Sequence, residues 1–573
     1  MKESKKYAAA ETGAVRKDWR GRTRIALVYP NQYHVGMSNL GFQTVYRLLN
    51  GIDRILCERA FLPDNGKNKN SRIVTIESQR PVTDFDIIAF SVSFESDFLN
   101  IISFLNMAGL PILAKERMPG HPLIIAGGVA CFLNPEPLAM FIDFFLLGEA
   151  EILLPDFCQY FDKIIMKSSE GKKNFLLDIA KNMTGAYVPE FYRPSYNNDG
   201  TLKLFEPLCG VPEKVKKVFL QDISSTSTCS AVLTPHTSFK KTFLIETGRG
   251  CIHGCRFCSA GYIYRPPRYR NLTVLKKCIR DGLKLTDRIG FVGAAISDLP
   301  QIGPLCSEFK NENIRISFSS LRADAVTEDF LSVLKQSRVK TATIAPDAGS
   351  QRMRDVINKG ITEEDILKTA ERLVAKGIPN LKLYFMIGLP SETLEDIEEI
   401  VKLCKEVKDV FLKSSRIRKH IGKITLSINP FVPKPVTPFQ WAAMDNKHMI
   451  KKKINIIKSG LKKVANLRIH AESPRRTYIQ AMISRGDRRM GEVLLRALKN
   501  KENWPKTLKE ISLNPDFFVY RERPFEELFP WDFIEHGVKK SFLWYEYNQA
   551  EKEKVSPPCR VGSCNLCGVC QVK

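Results

Sequence analysis

"ETGRGCIHGCRFCSAGYIYRPPRYR", residues 246–270, places Cys251, Cys255 and Cys258 in one short loop, spaced C-x3-C-x2-C. A disulfide takes two thiols, and a closed tetrahedral zinc site takes four ligands. Closely spaced thiolates hold iron–sulfur clusters or zinc. On a four-iron cube, three cysteines leave one iron free of protein. That arrangement suits catalysis better than plain electron transfer.

The flanks of the loop indicate the fold that presents it. "KTFLIETG" (241–248) reads as a strand, and the cysteines follow at once. Five more apolar, β-rich runs come at regular intervals: "RIGFVGAA" (288–295), "IRISFSS" (314–320), "TATIAPD" (341–347), "LKLYFMIGLP" (381–390) and "KITLSINPF" (423–431). Helical patterns separate them. Thr327 is expected to cap "TEDFLSVLKQS", and Ser391 to cap "SETLEDIEEIVKLCKEVKD". Thr362 and Asp365 form a capping-box pattern, and Gly377 closes that helix. Six strand–helix steps over 241–470 predict a partial (β/α)6 barrel, with its chemistry at the C-terminal ends of the strands. The cysteine loop lies at such an end.

Upstream, residues 20–165 alternate strands ("RIALVYP", "FDIIAFSVSF", "PLIIAGGVA", "DFFLLGEAE") with helical stretches such as "SNLGFQTVYRLLNGI", where Ser38 is the expected cap. Continuous apolar strands buried on both faces predict a doubly wound, Rossmann-like α/β domain. Its ligands would sit outside the carboxyl ends of the strands. Residues 166–240 read as a β-rich linker with a hairpin around Asn-Asn-Asp-Gly. Residues 471–555 read as a helical basic and aromatic region, and 556–573 as a Cys-rich metal-binding tail.

At this point the residues resemble a known family. Cys251-x3-Cys255-x2-Cys258, with Phe257 before the last cysteine and a strand before the first, resembles the signature of the radical S-adenosyl-L-methionine (SAM) enzymes. The resemblance implies a [4Fe-4S] cluster whose open iron takes SAM, and reductive cleavage of SAM to a 5′-deoxyadenosyl radical. It also implies an electron donor such as flavodoxin or ferredoxin. "LYFMIGLPSET" is similar to the strand end that packs on the SAM adenine, which nominates Ile387 and Gly388. "TIAPDAGSQRMRDVINKGIT" resembles the fourth-strand motif, with Asp347 in place of the more frequent Glu. "SFSSLRADA" nominates Ser320 and Arg322. The second-strand Gly-Gly-Glu is replaced by "FVGAAISD", leaving Gly293 as the counterpart.

The first domain resembles the cobalamin-binding domains of B12-dependent members of that family. The matching stretch, residues 123–157, nominates Gly127, Gly128 and Gly148 as cobalamin contacts. The D-x-H-x-x-G motif is absent, and His34 stands at the wrong spacing, so the domain binds cobalamin without a histidine ligand or is a vestigial scaffold. "NPFVPKPVTPFQW" and "ISRGDRRMGEVL" extend the resemblance to an uncharacterised family of B12-binding-domain radical SAM proteins over nearly the whole chain.

The tail adds Cys559, Cys564, Cys567 and Cys570 as C-x4-C-x2-C-x2-C, a pattern for a second iron–sulfur cluster or for zinc. The remaining eight cysteines are scattered among the 573 residues and read as buried small hydrophobes in a cytoplasmic chain. The N-terminus lacks an apolar secretory core, and the most apolar stretches contain Asn, Asp or Glu, so no membrane partner is expected. The net charge of +25 is concentrated after residue 400, as in "KHMIKKKINIIKSGLKKVANLRIHAESPRR", which admits nucleic acid as a partner or a solvated lysine face. Three functions follow in order. The first is a radical SAM enzyme, with a cobalamin-dependent methyltransferase as its sharpest form. The second is a methylthiotransferase-like enzyme that modifies RNA. The third is a non-enzymatic iron–sulfur or corrinoid carrier.

Overall fold

The structure is a computed structural model and describes residues 2–64, 73–160, 169–308, 314–318, 321–416 and 421–570. The first sheet contains β1 (Thr23–Gln32), β2 (Ile55–Leu62), β3 (Ile87–Ser91), β4 (Leu123–Gly127), β5 (Phe144–Leu146) and β6 (Ala186–Tyr187). Their order is β2-β1-β3-β4-β5-β6, parallel except for β6, which runs antiparallel to β5. The doubly wound expectation for the fold therefore holds, with one strand added from the stretch read as a linker. Two strands of this sheet had no counterpart in the sequence reading. β2 is fully buried but contains Glu58 and Arg59, which interrupt its apolar run. Arg59 is neutralised inside the protein by Glu11 at 2.6 Å and Glu77 at 2.7 Å.

The rest of the linker contains the expected hairpin, β7 (Tyr192–Tyr196) and β8 (Leu202–Pro207), paired antiparallel. A short strand, β9 (Val215–Lys216), follows. The second α/β series then begins with β10 (Phe243–Glu246) and the two-residue strands β11 (Gly248–Arg249) and β12 (Arg268–Tyr269). β13 (Arg288–Val292) and β14 (Arg315–Phe318) extend β10 into a parallel sheet. β15 (Thr341–Asp347), β16 (Asn380–Ile387), β17 (Ile424–Pro430) and β18 (Leu467–Ala471) form a second parallel sheet. A parallel bridge from Leu321 to Ile344 joins the two. The six expected strands are thus present, and β18 adds a seventh at the edge of the arc. It lies in the lysine-rich segment, where short alternating runs give a weak strand signal.

Local capping follows the sequence in places. Thr327 accepts the Phe330 N–H, and Thr362 and Asp365 form a full capping box. Gly377 adopts φ +112 just past that helix. Two caps differ from expectation. Asn39, not Ser38, accepts the Phe42 N–H at the start of Leu40–Asn50, because the Ser38 hydroxyl turns back to the His34 carbonyl. The helix Leu394–Arg416 starts three residues after Ser391. Ser391 itself has φ +60, and Thr393 and Asp396 exchange the capping bonds.

Residues 471–555 do not form a separate body. Their buried side chains, among them Met482, Leu494, Phe529 and Trp531, join the core of the first sheet, whereas the arc encloses a second core between strands and helices. The Asn134 amide donates to the carbonyls of Ser484 and Gly486, and Arg488 pairs with Glu136 at 3.1 Å. β19 (Ile534–Glu535) pairs with β9. Among the described residues no helix is long and apolar enough to cross a membrane.

Candidate active site

The cysteine loop leaves the C-terminal end of β10, where barrel chemistry is expected. Its base is clipped by the β11–β12 ladder, so residues 250–267 form a closed excursion. Gly250 permits it: φ is +83, and a Cβ there would lie 2.7 Å from the Tyr264 carbonyl oxygen. All three cysteines are half-buried. The Cys251 sulfur accepts the His253 backbone N–H, and Cys258 accepts those of Ala260 and Gly261. Burial pushes the Cys251 thiol up to about 11 and Cys255 up to about 12, against the pull of nearby Arg322 and, at Cys255, Lys359. Backbone donors and two cations around three thiols suit thiolates bound to metal. Among the described residues no three Cys, His, Asp or Glu side chains converge on a point that a single ion would fill. A cube that takes each thiolate on its own iron does not need such convergence.

The other nominated SAM residues divide. Asp347 ends β15 at φ +64 and forms an ion pair with buried Lys359, the cation beside Cys255. Arg322 is tied to Asp324 at 2.9 Å and to the carbonyls of Lys359 and Gly360. Gly293 lies at the end of β13, where a Cβ would come 2.7 Å from the Thr247 hydroxyl. Gly388 has φ +75, and its N–H donates to Glu392 at 2.6 Å. The Ile387 side chain is fully buried in the core on the helix side of β16, and its carbonyl accepts the Phe431 N–H. Side chains alternate along a strand, so Tyr384 and Met386, not Ile387, face the opposite side. There they line a cavity of about 470 Å³ with Thr343, Asp347 and Asn429. Ser320 lies outside the described residues.

The registers extend that inner face. Lys382 stands opposite Thr425, and Thr425 opposite Arg468; Tyr384, Ser427 and His470 follow in the next row. Lys382 donates to the Tyr384 hydroxyl at 2.7 Å, and Arg468 and His470 are exposed.

A second cavity, about 480 Å³, lies at the C-terminal ends of the first sheet. Its wall is mostly apolar, with Leu27, Ala89, Ile125 and Leu154 among the lining residues, and it contains Gly127, Gly128 and Gly148. Gly128 and Gly148 have φ of +107 and +146, and a Cβ on either would strike the carbonyl oxygen of Val92 or Val218. Both are therefore required by backbone approach as well as by the open wall. Arg249, two residues before Cys251, closes the rim. It pairs with Glu149 at 2.7 Å, with Glu151, and with Glu246 at 2.9 Å. Arg268 bonds Glu149 at 2.7 Å, and Arg270 bonds Glu246 at 2.5 Å. Burial alone would raise the Glu149 and Glu151 carboxyls, but these arginines hold both below their ordinary values. The network binds the first domain's Gly-Glu-Ala-Glu turn to the cysteine loop. Its arginines were not singled out in the sequence; the only signal was the clustering of charge beside glycines. Among the described residues no histidine lines this cavity, and His34 is exposed on the short helix Tyr33–Gly36.

The tail cysteines lie against the same loop from another side. The Cys559 N–H donates to the Ile252 carbonyl at 2.7 Å.

Two stretches of the chain match known protein families. Residues 41–189 match the N-terminal domain of radical SAM proteins, and residues 245–404 match the radical SAM superfamily. An uncharacterised protein of Methanocaldococcus jannaschii is 31% identical over 477 residues, covering 82% of this chain and 90% of its own. A tRNA-2-methylthio-N(6)-dimethylallyladenosine synthase of Carboxydothermus hydrogenoformans is 24% identical over 201 residues, 33% of this chain and 46% of its own. Among solved structures, the radical SAM methyltransferase TsrM of Kitasatospora setae, with cobalamin and a [4Fe-4S] cluster bound, aligns at TM-score 0.49 and 14% identity, over 84% of this chain and 100% of that one.

Proposed function

The chain belongs to the radical SAM superfamily of enzymes, and we propose that it is a corrinoid-using member that transfers a methyl group. One observation carries the reading: the cysteine loop and an apolar, glycine-walled cavity share a rim built by Arg249, Glu149 and Glu151. Cys251, Cys255 and Cys258 would hold the cluster, with Asp347, Gly388 and the inner face of β15–β17 beside SAM. Gly127, Gly128 and Gly148 would border the corrinoid, bound without a histidine ligand. When bound, the cluster and SAM supply radical chemistry, and the corrinoid supplies a methyl carrier. The chain's own part is to hold these groups adjacent. Lys359 and Arg322 offset the negative charge of the thiolates, and the Arg249 network keeps water out of the rim. The test is cofactor content after anaerobic purification and reconstitution. Corrin absorbance near one equivalent, together with SAM-dependent methyl transfer, supports the reading. Iron and SAM cleavage without bound corrinoid would leave a radical SAM enzyme with an empty first domain and refute the methyl-carrier part.

A second reading, RNA modification, is favoured by the inner and edge charge of the arc. Lys382, Arg468 and His470 line one face of β16 and β18, and exposed Arg475 and Arg476 follow at the strand end. Exposed Lys447, Lys451, Lys452, Lys458, Lys462 and Lys463 continue along the adjoining helix Lys447–Leu461 and just beyond it. A line of cations suits a polyanion, and the likeness to a tRNA-modifying enzyme points the same way. Binding of transfer RNA that weakens steeply with salt, and weakens further in Lys382→Ala/Arg468→Ala, supports this reading. Salt-independent or undetectable binding refutes it.

A further inference from the structure

We propose that Cys559, Cys564, Cys567 and Cys570 form a metal–thiolate clamp that fastens the C-terminal tail to the cysteine loop and keeps that loop in its binding shape. The positions of the loop divide between two tasks. Cys251, Cys255 and Cys258 are the candidate ligands, while the intervening Ile252, Gly254 and Arg256 bond the tail or its seat. The Ile252 carbonyl accepts the Cys559 N–H at 2.7 Å. The Gly254 carbonyl accepts the Asn358 amide at 3.2 Å, and the oxygen of the same amide accepts the Ser556 N–H at 2.9 Å. Arg256 is fully buried, and its guanidinium donates to the Lys554 carbonyl at 2.7 Å and to the Ser556 hydroxyl at 3.2 Å. Glu546 completes this seat, at 3.2 Å from Arg256 and 2.9 Å from the Ser556 hydroxyl.

Among residues 559–570 little apolar burial holds the tail in place. Residues 559–570 form turns without helix or strand, and Val561 and Leu566 are 50% and 67% exposed. A segment with so little apolar burial does not offset the entropy of its own ordering. Four thiols in twelve residues supply the missing cross-link if they share a metal centre, as in small metal-stabilised domains. Two of the four are seated by the fold: Cys567 is buried and its carbonyl accepts the Lys539 N–H at 2.9 Å, Cys559 is held by the Ile252 carbonyl, and Arg265 lies beside both. Gly568 turns the chain at φ +83, where any Cβ would strike the Lys539 side chain at 2.7 Å. Metal in the tail thus anchors Cys559, and Cys559 anchors the backbone between the first two site cysteines.

The experiment compares full-length, anaerobically reconstituted wild type with Cys564→Ser/Cys567→Ser and, as a milder second variant, Cys564→Ser alone. Metal content and amide hydrogen exchange over residues 250–262 are the readouts. The double variant is expected to lose about four irons for a cluster that takes each thiolate on its own iron, or about one zinc where the thiols close further onto a single ion. Its loop amides should exchange at least about tenfold faster, with Cys564→Ser intermediate. Unchanged metal content in both variants overturns the proposal, and so does metal loss with unchanged loop exchange. Cys255→Ala separates this from the site reading. If the loop holds no cluster, that variant keeps its iron while the tail variants still lose their metal.

Discussion

Replacing Arg249 with methionine tests whether the first domain and the cysteine loop act as one unit. Glu149 would keep Arg268 at 2.7 Å, and Glu246 would keep Arg270 at 2.5 Å. Of its side-chain partners Glu151 would keep only a long contact to the Thr228 hydroxyl at 3.4 Å, although its side chain is 4% exposed. The cost of the substitution therefore falls on one buried carboxylate. Breaking such a pair from one side costs about 3–5 kcal/mol. Since about 1.4 kcal/mol is tenfold, local opening at the rim should rise by about a hundredfold or more. Hydrogen exchange over residues 247–258 at neutral pH reads that opening directly. Arg249→Met/Glu151→Gln removes the stranded charge and should return exchange to within about tenfold of wild type. A rise below about threefold in Arg249→Met, or a double variant as open as the single one, would refute the reasoning.

Three further outcomes are expected. Gly128→Ala forces a Cβ to 2.4 Å from the Val92 carbonyl oxygen at φ +107, and should cost at least about 3 kcal/mol, seen as a lowered thermal midpoint or loss of soluble protein. His536 is buried with neither ring nitrogen bonded, and burial lowers its pKa to about 3 from the ordinary 6.5. The folded state thus resists protonation. Its stability is complete above about pH 6.5 and should fall with acid about 1.4 kcal/mol per pH unit more steeply than in His536→Leu, measured by denaturant titrations from pH 6 to 4. His34→Ala should leave corrin content unchanged, because among the described residues no histidine lines the cavity; a shift in the corrin spectrum would assign it an axial role.

Much of the architecture is legible in the chain because parallel strands buried on both faces read as apolar runs. The exceptions have physical causes. β2 contains a buried Arg59 whose partners, Glu11 and Glu77, lie far from it in sequence. β18 alternates exposed and half-buried residues within a lysine-rich segment. The place of the cysteine loop at a strand end is legible, since its three cysteines fall within eight residues directly after an apolar run. A motif names a strand end without its parity, so which of Met386 and Ile387 turns its side chain to the inner face is not legible in the sequence. The Arg249 network and the seat for the tail are not legible, since both join residues far apart in sequence, 98 positions for Arg249 and Glu151 and 198 for Asn358 and Ser556, and only the folded chain brings them together.

The most direct measurement of the central claim is paired: iron content and 5′-deoxyadenosine formation from SAM under anaerobic reduction, in wild type and Cys255→Ala. The account predicts nucleoside formation by wild type, and in the variant a loss of about four irons together with all SAM cleavage. Iron content unchanged by Cys255→Ala, with no 5′-deoxyadenosine from the wild type, would contradict it.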